Sequence, residues 1–113
     1  MATRYHITLP DAARARAAGE FAFRSQGAEG LAAELQEALR SDALFRRWRA
    51  TQEDPDAVDP ALGATDPSAA VEGELHNLRT DLIVVTSIPG AVFKQRLRLL
   101  AGNAWELRDV RDA

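Results

Sequence analysis

The sequence contains no cysteine in its 113 residues. This absence excludes disulfide bonds, thiolate metal sites and cysteine nucleophiles, and it fits a reducing compartment. Lys94 is the only lysine, so arginine supplies almost all of the basic charge. Together with the abundant alanine, this bias is typical of a GC-rich bacterial genome, and we do not interpret it as selection for phosphate contacts.

Long apolar runs are also missing. Residues 1–10 lack the apolar core of a secretory signal, and the longest apolar run, residues 82–85, is much too short to cross a membrane. Hydrophobic residues make up 46% of the chain and charged residues 27%, which is ordinary globular usage. We therefore expect a single cytoplasmic domain spanning residues 1–113.

The first half of the sequence contains two alternating segments and two helical ones. Apolar and polar side chains alternate over residues 5–9 and again over residues 20–25, and both segments predict strands. Apolar residues at helical spacing predict a helix over residues 29–40 and a shorter helix over residues 42–49.

The second half predicts three further strands. Residues 71–76 have one polar face, which is typical of a strand near the edge of a sheet. Residues 81–86 are apolar on both faces, which indicates a central strand. Alternation over residues 105–111 predicts the last strand.

Residues 88–100 allow two interpretations. They form either a strand of a β-meander, after a turn at Pro89-Gly90, or a helix that begins near Ser87 and ends at Gly102. We favour the helix, because its start and stop signals agree with the helical period of the apolar residues. A type II turn would also splay the strands of a hairpin.

The predicted order is β–(β–α–β–β–α–β). The bracketed part is the ferredoxin-like, or split βαβ, arrangement, so we predict an α+β fold with an antiparallel sheet, one extra N-terminal strand and helices on one face. Residues 51–69 carry three Asp-Pro pairs and form a long acidic loop within this domain. Its aspartates do not fit an EF-hand, because Asp59 stands where the pattern needs glycine and Thr65 where it needs glutamate.

The predicted helix over residues 42–49 ends in a cluster of basic and aromatic residues. In one interpretation the arginines contact phosphates and the tryptophan stacks on a base. In the other, the tryptophan faces the core and the arginines stabilise the carbonyl end of the helix. We favour the second interpretation, because the acidic loop downstream would repel a phosphate backbone. The residues of this cluster are Arg46, Arg47, Trp48 and Arg49.

A second basic segment contains Lys94, Arg96 and Arg98. On a helix Lys94 and Arg98 share a face, where they would serve as a solvated outer surface or dock an acidic partner. We favour the solvated surface.

Motifs for catalysis or cofactor binding are lacking. The sequence has no P-loop, no G-x-G-x-x-G and no G-x-S-x-G, so we predict no catalytic, cofactor-binding or metal-binding residue and expect no cofactor. His6 and His76 fall on the polar faces of predicted strands and could meet across the sheet, with Glu72 or Glu74 as a metal ligand. Exposed surface histidines are the commoner outcome.

The central strand suggests a function. If helices cover one face of the sheet, Ile83 and Val85 on the other face need a second copy or another protein to cover them. Our first hypothesis is therefore a non-catalytic protein-interaction or regulatory module that forms a homodimer through the open sheet face. A nucleic-acid-binding module using the two basic segments is the alternative, against which the net charge of −3 counts. A small enzyme using His6 or His76 with a glutamate ranks third.

Overall fold

The computed structural model describes residues 1–113 as an α+β protein with four helices and an open, antiparallel sheet of four strands. Residues 51–69 carry two additional short 3-10 helices. In chain order the elements are β1 (Thr3–Leu9), α1 (Ala12–Arg16), α2 (Ala28–Arg40), α3 (Ala43–Arg49), the 3-10 helices Pro55–Ala57 and Pro60–Gly63, β2 (Ala70–His76), β3 (Arg79–Thr86), α4 (Gly90–Ala101) and β4 (Glu106–Asp112).

The strands lie in the order β2-β3-β1-β4, and every neighbouring pair is antiparallel. The two central strands are therefore β3 and β1, with Ile7 opposite Leu82 and His6 opposite Ile83. The free edges belong to β2 and β4. The predicted position of β3 at the centre of the sheet is confirmed, since it pairs with β2 on one side and β1 on the other.

The helices pack on one face of the sheet and enclose the hydrophobic core. Tyr5, Ile7 and Leu9 alternate along β1 toward the helices, and the Tyr5 ring stacks on Phe93 of α4 with centroids 4.3 Å apart. Helix α2 lies against β2 so closely that a Cβ at Gly73 would meet the backbone carbonyl of Ala28. Glycine is required there for this close approach.

Residues 20–25 form no strand, so the predictions of a strand there and of an extra N-terminal strand are wrong. Instead this segment crosses the helical layer. The backbone N–H of Phe23 donates to the carbonyl of Leu100 at 2.8 Å, and the Glu34 carboxylate accepts from the N–H groups of Arg24 and Ser25. Apolar and polar residues alternate in this segment because Phe23 packs in the core. Its backbone hydrogen bonds go to Leu100 and Glu34 and not to a neighbouring strand.

Residues 90–101 form helix α4, as predicted, and the alternative of a β-meander strand is wrong. The first bond of the helix runs from the N–H of Phe93 to the carbonyl of Pro89 at 2.9 Å. Gly102 ends the helix with a φ of 59°, in the region that favours glycine. Ser87 is not the N-cap, because α4 begins at Gly90 and Pro89 occupies the cap position. The N–H of Ser87 donates to the carboxylate of Asp66.

Asp66 joins the end of the 51–69 segment to the turn between β3 and α4. Its Oδ2 accepts hydrogen bonds from Thr86 Oγ1 and the Ser87 N–H, both at 2.9 Å, and its Oδ1 accepts from the Ser68 N–H at 3.0 Å. The bond from Ser87 is the main reason why the pKa of Asp66 lies below its usual value, although burial acts in the opposite direction. This acid is therefore a buried structural group and not part of a solvated loop.

Arg96 of α4 is fully buried and is therefore not part of the basic surface predicted for Lys94 and Arg98. Its Nη1 donates to the carbonyl of Ala38 at 2.5 Å, and its Nη2 donates to the carbonyls of Leu62 and Ala64 at 2.8 and 2.9 Å. Ala38 lies in the last turn of α2, where carbonyls lack a partner within the helix. Burial lowers the pKa of the Arg96 guanidinium, and Asp42 partly offsets this effect.

Candidate functional site: the open sheet face

The face of the sheet opposite the helices is covered by no other element of the chain. Alternation places every second side chain of each strand on this open face, which follows from the two-residue period of a strand. A shallow depression of about 520 Å³ lies on it. Nine residues line this depression: Arg4, His6, Ala70, Glu72, Glu74, His76, Asp81, Ile83 and Val85.

Ile83 and Val85 form the apolar centre of the open face. Both lie on β3 and are half-buried, because charged side chains of the neighbouring strands cover them only in part. On the helical face of the same strand, Leu82 and Val84 are fully buried. The structure thus places the two predicted interaction residues where the sheet has no cover.

Asp81 lies beside this apolar centre and is only 7% exposed. Its Oδ1 accepts a hydrogen bond from Thr8 Oγ1 at 2.7 Å and lies 3.5 Å from His6 Nε2. Its Oδ2 lies 3.6 Å from His76 Nε2 and 3.5 Å from Arg79 Nε. One carboxylate on β3 therefore joins side chains from three strands.

The electrostatics of this cluster favour an ionised carboxylate. Burial alone would raise the pKa of Asp81, but the hydrogen bond from Thr8, the charge of Arg79 and the contact with His6 outweigh it. The pKa of Asp81 therefore lies below its usual value. Such a carboxylate can orient an adjacent imidazole ring.

The two histidines do meet across the sheet, through Asp81 rather than through direct contact. Glu74 Oε2 lies 3.1 Å from His76 Nε2, whereas Glu72 forms no ion pair with either histidine. No group of three or more histidine, aspartate or glutamate side chains is arranged to hold a metal ion. The carboxylate already has Thr8 and Arg79 as partners, so the cluster is a network of hydrogen bonds and ion pairs.

The predicted arginine cluster lies on α3, in the helical layer, and each arginine has a partner within the chain. Arg46 pairs with Asp42 at 3.1 Å, and the Arg47 guanidinium lies 5.4 Å from the centre of the Phe21 ring. Arg49 donates to the carbonyl of Pro55 at 2.9 Å, which brings the acidic segment back over the end of the helix.

Trp48 is half-buried against Phe45, with ring centroids 6.1 Å apart, and it does not belong to the main core cluster. Trp48 therefore packs against another residue of α3 and not against the core on the sheet. Lys94 and Arg98 lie on α4, also in the helical layer, where Arg98 is exposed. The structure therefore separates all of these basic residues from Ile83 and Val85.

Sequence reasoning missed Arg4, Thr8 and Asp81 as parts of the site. One signal was present, because Asp81 stands at the start of the most apolar strand, where a charged side chain needs a partner. That Thr8 is this partner depends on the register between β1 and β3, which pairs Thr8 with Asp81.

A second depression, of about 430 Å³, lies between residues 20–25 and helices α2 and α3. Phe21 and Leu44 contribute apolar surface, and Glu34 and Arg47 lie at its wall. Glu34 already accepts backbone hydrogen bonds and Arg47 already lies over Phe21, so both side chains have structural roles.

The fold and the site together define a small α+β protein with one uncovered sheet face. No protein-family model, curated protein or solved structure matches the chain. None of its helices combines the length and the apolar character needed to cross a membrane.

Proposed function

We propose that this protein is a non-catalytic interaction module that forms a homodimer through its open sheet face. The observation that carries this proposal is the position of Ile83 and Val85, two β-branched apolar residues at the centre of an uncovered face. Covering them with a second sheet removes apolar surface from water, which is the main driving force for association.

The small size of the face favours a weak and reversible interface. Four strands at the usual spacing and seven residues at the usual rise give a face of about 19 by 23 Å. This area lies at the low end for specific protein interfaces, so we expect a dissociation constant in the micromolar range. The surrounding charges keep a single copy soluble at lower concentration.

Analytical ultracentrifugation over a concentration range up to about 500 μM tests the proposal. We expect the mass of two chains at the upper end, and the mass of one chain for Ile83→Asp, because a carboxylate there would be buried without a partner. The matched control is Leu78→Asp, which changes a leucine that is 89% exposed in the β2–β3 turn. Circular dichroism verifies that each variant is folded, and Ile83→Thr is a milder second variant.

A wild-type mass of one chain at every concentration would contradict self-association. Equal loss of the dimer in Ile83→Asp and in Leu78→Asp would contradict the choice of face.

We also infer that the fold is the ferredoxin-like arrangement without an extra strand. The order β1, helices, β2, β3, α4, β4 supports this inference, as does the position of β1 between β3 and β4. A cytoplasmic location in a bacterium stays a prediction from composition. Binding of nucleic acid through α3 also stays a prediction, and the partners of Arg46, Arg47 and Arg49 make it the weaker one.

A further inference from the structure

Two charged residues of the open face have no partner within the chain. The other charges on this face are joined to one another: Arg79 and both histidines to Asp81, Glu74 to His76, Glu106 to Arg108 and Asp109 to Arg111. Arg4 and Glu72 take part in none of these ion pairs and in no side-chain hydrogen bond. They are one cation and one anion.

Arg4 and Glu72 lie on opposite sides of the apolar centre. Arg4 is on β1 and stands opposite Val85 in the register, whereas Glu72 is on the edge strand β2 and stands opposite Ile83. Glu72 is exposed and Arg4 is half-buried. A partner that covers Ile83 and Val85 must therefore meet a negative charge toward one edge of the face and a positive charge toward the other.

We infer that the partner is a second copy related by a two-fold axis parallel to the strands, and that Arg4 of each copy pairs with Glu72 of the other. This inference rests on the proposed function. Such an axis places the β2 side of one sheet over the β1–β4 side of the other. Arg4 of one chain then faces Glu72 of the other, and the symmetry forms the same pair a second time. The two pairs flank one shared apolar centre, which is built from Ile83 and Val85 of both chains.

The distances allow this pairing. Packed sheets lie about 10 Å apart, and Arg4 and Glu72 are offset by two residues, or about 7 Å, along the strands, so their Cα atoms would lie about 12 Å apart. The extended side chains of an arginine and a glutamate together span that distance. The other face-to-face orientation, with the axis perpendicular to the strands, would place β2 over β2 and Glu72 against its own copy. Like charges in direct opposition disfavour that arrangement, so the two unpaired residues select the orientation as well as the partner.

Charge exchange between chains tests this pairing in the intact protein. We expect Arg4→Glu and Glu72→Arg each to weaken the homodimer at least about 30-fold, since each variant sets like charges against each other at two places. An equimolar mixture of these variants restores a dimer, because Glu at position 4 of one chain then faces Arg at position 72 of the other, and the native pair forms at the second place. The double variant Arg4→Glu/Glu72→Arg restores the homodimer by the same reasoning.

Matched controls are Glu37→Arg on α2 and Arg98→Glu on α4, two exposed charges in the helical layer. They reverse the same charges at a distance from the sheet face, so we expect dimerisation to stay within about threefold of the wild type. Sedimentation of the mixture against each variant alone is the decisive measurement, and recovery of the dimer also shows that both variants are folded.

The possible failures are distinguishable. A wild type that stays a single chain overturns the proposed function and this inference together. A wild-type dimer that is lost in Ile83→Asp but unchanged in Arg4→Glu and Glu72→Arg overturns the pairing alone. The pairing is also overturned if both variants are single chains and their mixture stays a single chain. The two reversed charges would then not be in contact across the dimer.

Discussion

Asp81 lies on the uncovered face of the sheet and joins side chains from three strands. Although it lies on the open face, its carboxylate is almost fully buried because Thr8, Arg79 and the two histidines surround it. A buried carboxylate is tolerated only with such partners, since an unpaired one would be strongly destabilising. The same network holds β1 and β2 at a fixed position relative to β3, and so supports the site.

We predict that Asp81→Asn lowers the free energy of unfolding by about 1–3 kcal/mol near neutral pH, because the charged acceptor is lost. The pKa of Asp81 is lowered in the folded state, so its charge stabilises the fold above the unfolded pKa of about 3.9. This stabilisation is lost as the pH falls through the folded pKa. The difference between wild type and variant therefore narrows below about pH 4, which urea unfolding at a series of pH values measures.

Asp112→Asn is the control for this prediction, because Asp112 is exposed at the end of β4 and forms no ion pair. We expect it to differ little from the wild type at any pH. A difference between Asp81→Asn and wild type that persists unchanged at the lowest pH would show that the amide disturbs packing rather than charge.

At the scale of secondary-structure elements, Arg96 joins three parts of the helical layer. It extends from α4 to the last turn of α2 and to the 3-10 helix Pro60–Gly63 together with Ala64. Three carbonyl oxygens replace water around the guanidinium, and its planar group suits several acceptors at once. This contact explains why residues 51–69, despite their length, follow the helices closely.

We predict that Arg96→Met lowers the free energy of unfolding by about 3 kcal/mol or more, because three buried carbonyls lose their donor. Arg96→Lys should recover only part of this loss, since an ammonium group cannot match the geometry of the fork. Chemical denaturation measures both effects, with Arg98→Met as a control on the exposed side of α4. A loss below about 1 kcal/mol in Arg96→Met would mean that water replaces the guanidinium at these carbonyls.

The elements that the sequence predicted well are those whose signal is local. The apolar stripe of Val92, Phe93, Leu97 and Leu100 and the terminal Gly102 identified α4, and the two-sided apolar run of β3 identified a central strand. These patterns depend on residues a few positions apart. Periodicity therefore sufficed, and the coarse α+β architecture followed from it.

The features that escaped prediction depend on distant partners. Residues 20–25 alternate like a strand, but whether a strand forms is decided by hydrogen bonds to Leu100 and Glu34, which no local pattern contains. The same holds for Arg96, whose acceptors lie more than thirty positions away. In the candidate site, Ile83 was predictable from β3 alone, whereas Arg4 and Asp81 required the strand register.

At the scale of the whole molecule, the arrangement is asymmetric: one face of the sheet is enclosed by helices and the other meets water. The enclosed face holds a continuous cluster of 22 buried residues, which is the core of the folded chain. Ile83 and Val85, the apolar centre of the open face, gain further burial only when something covers that face. Association through that face should therefore be visible in unfolding itself, because a ligand that binds only the folded state stabilises it by mass action, and a second copy acts as such a ligand.

We predict that the melting temperature of the wild type falls by about 3 °C for each tenfold dilution, as expected for a two-chain unit with about 0.7 kcal/mol of unfolding enthalpy per residue. The dilution series must stay above the dissociation constant, where the dimer is the folded form. Arg4→Glu should melt at one temperature across the same series, because its folded form is a single chain. Differential scanning calorimetry measures both. A wild-type melting temperature independent of concentration would mean that association through the open face does not stabilise the folded protein.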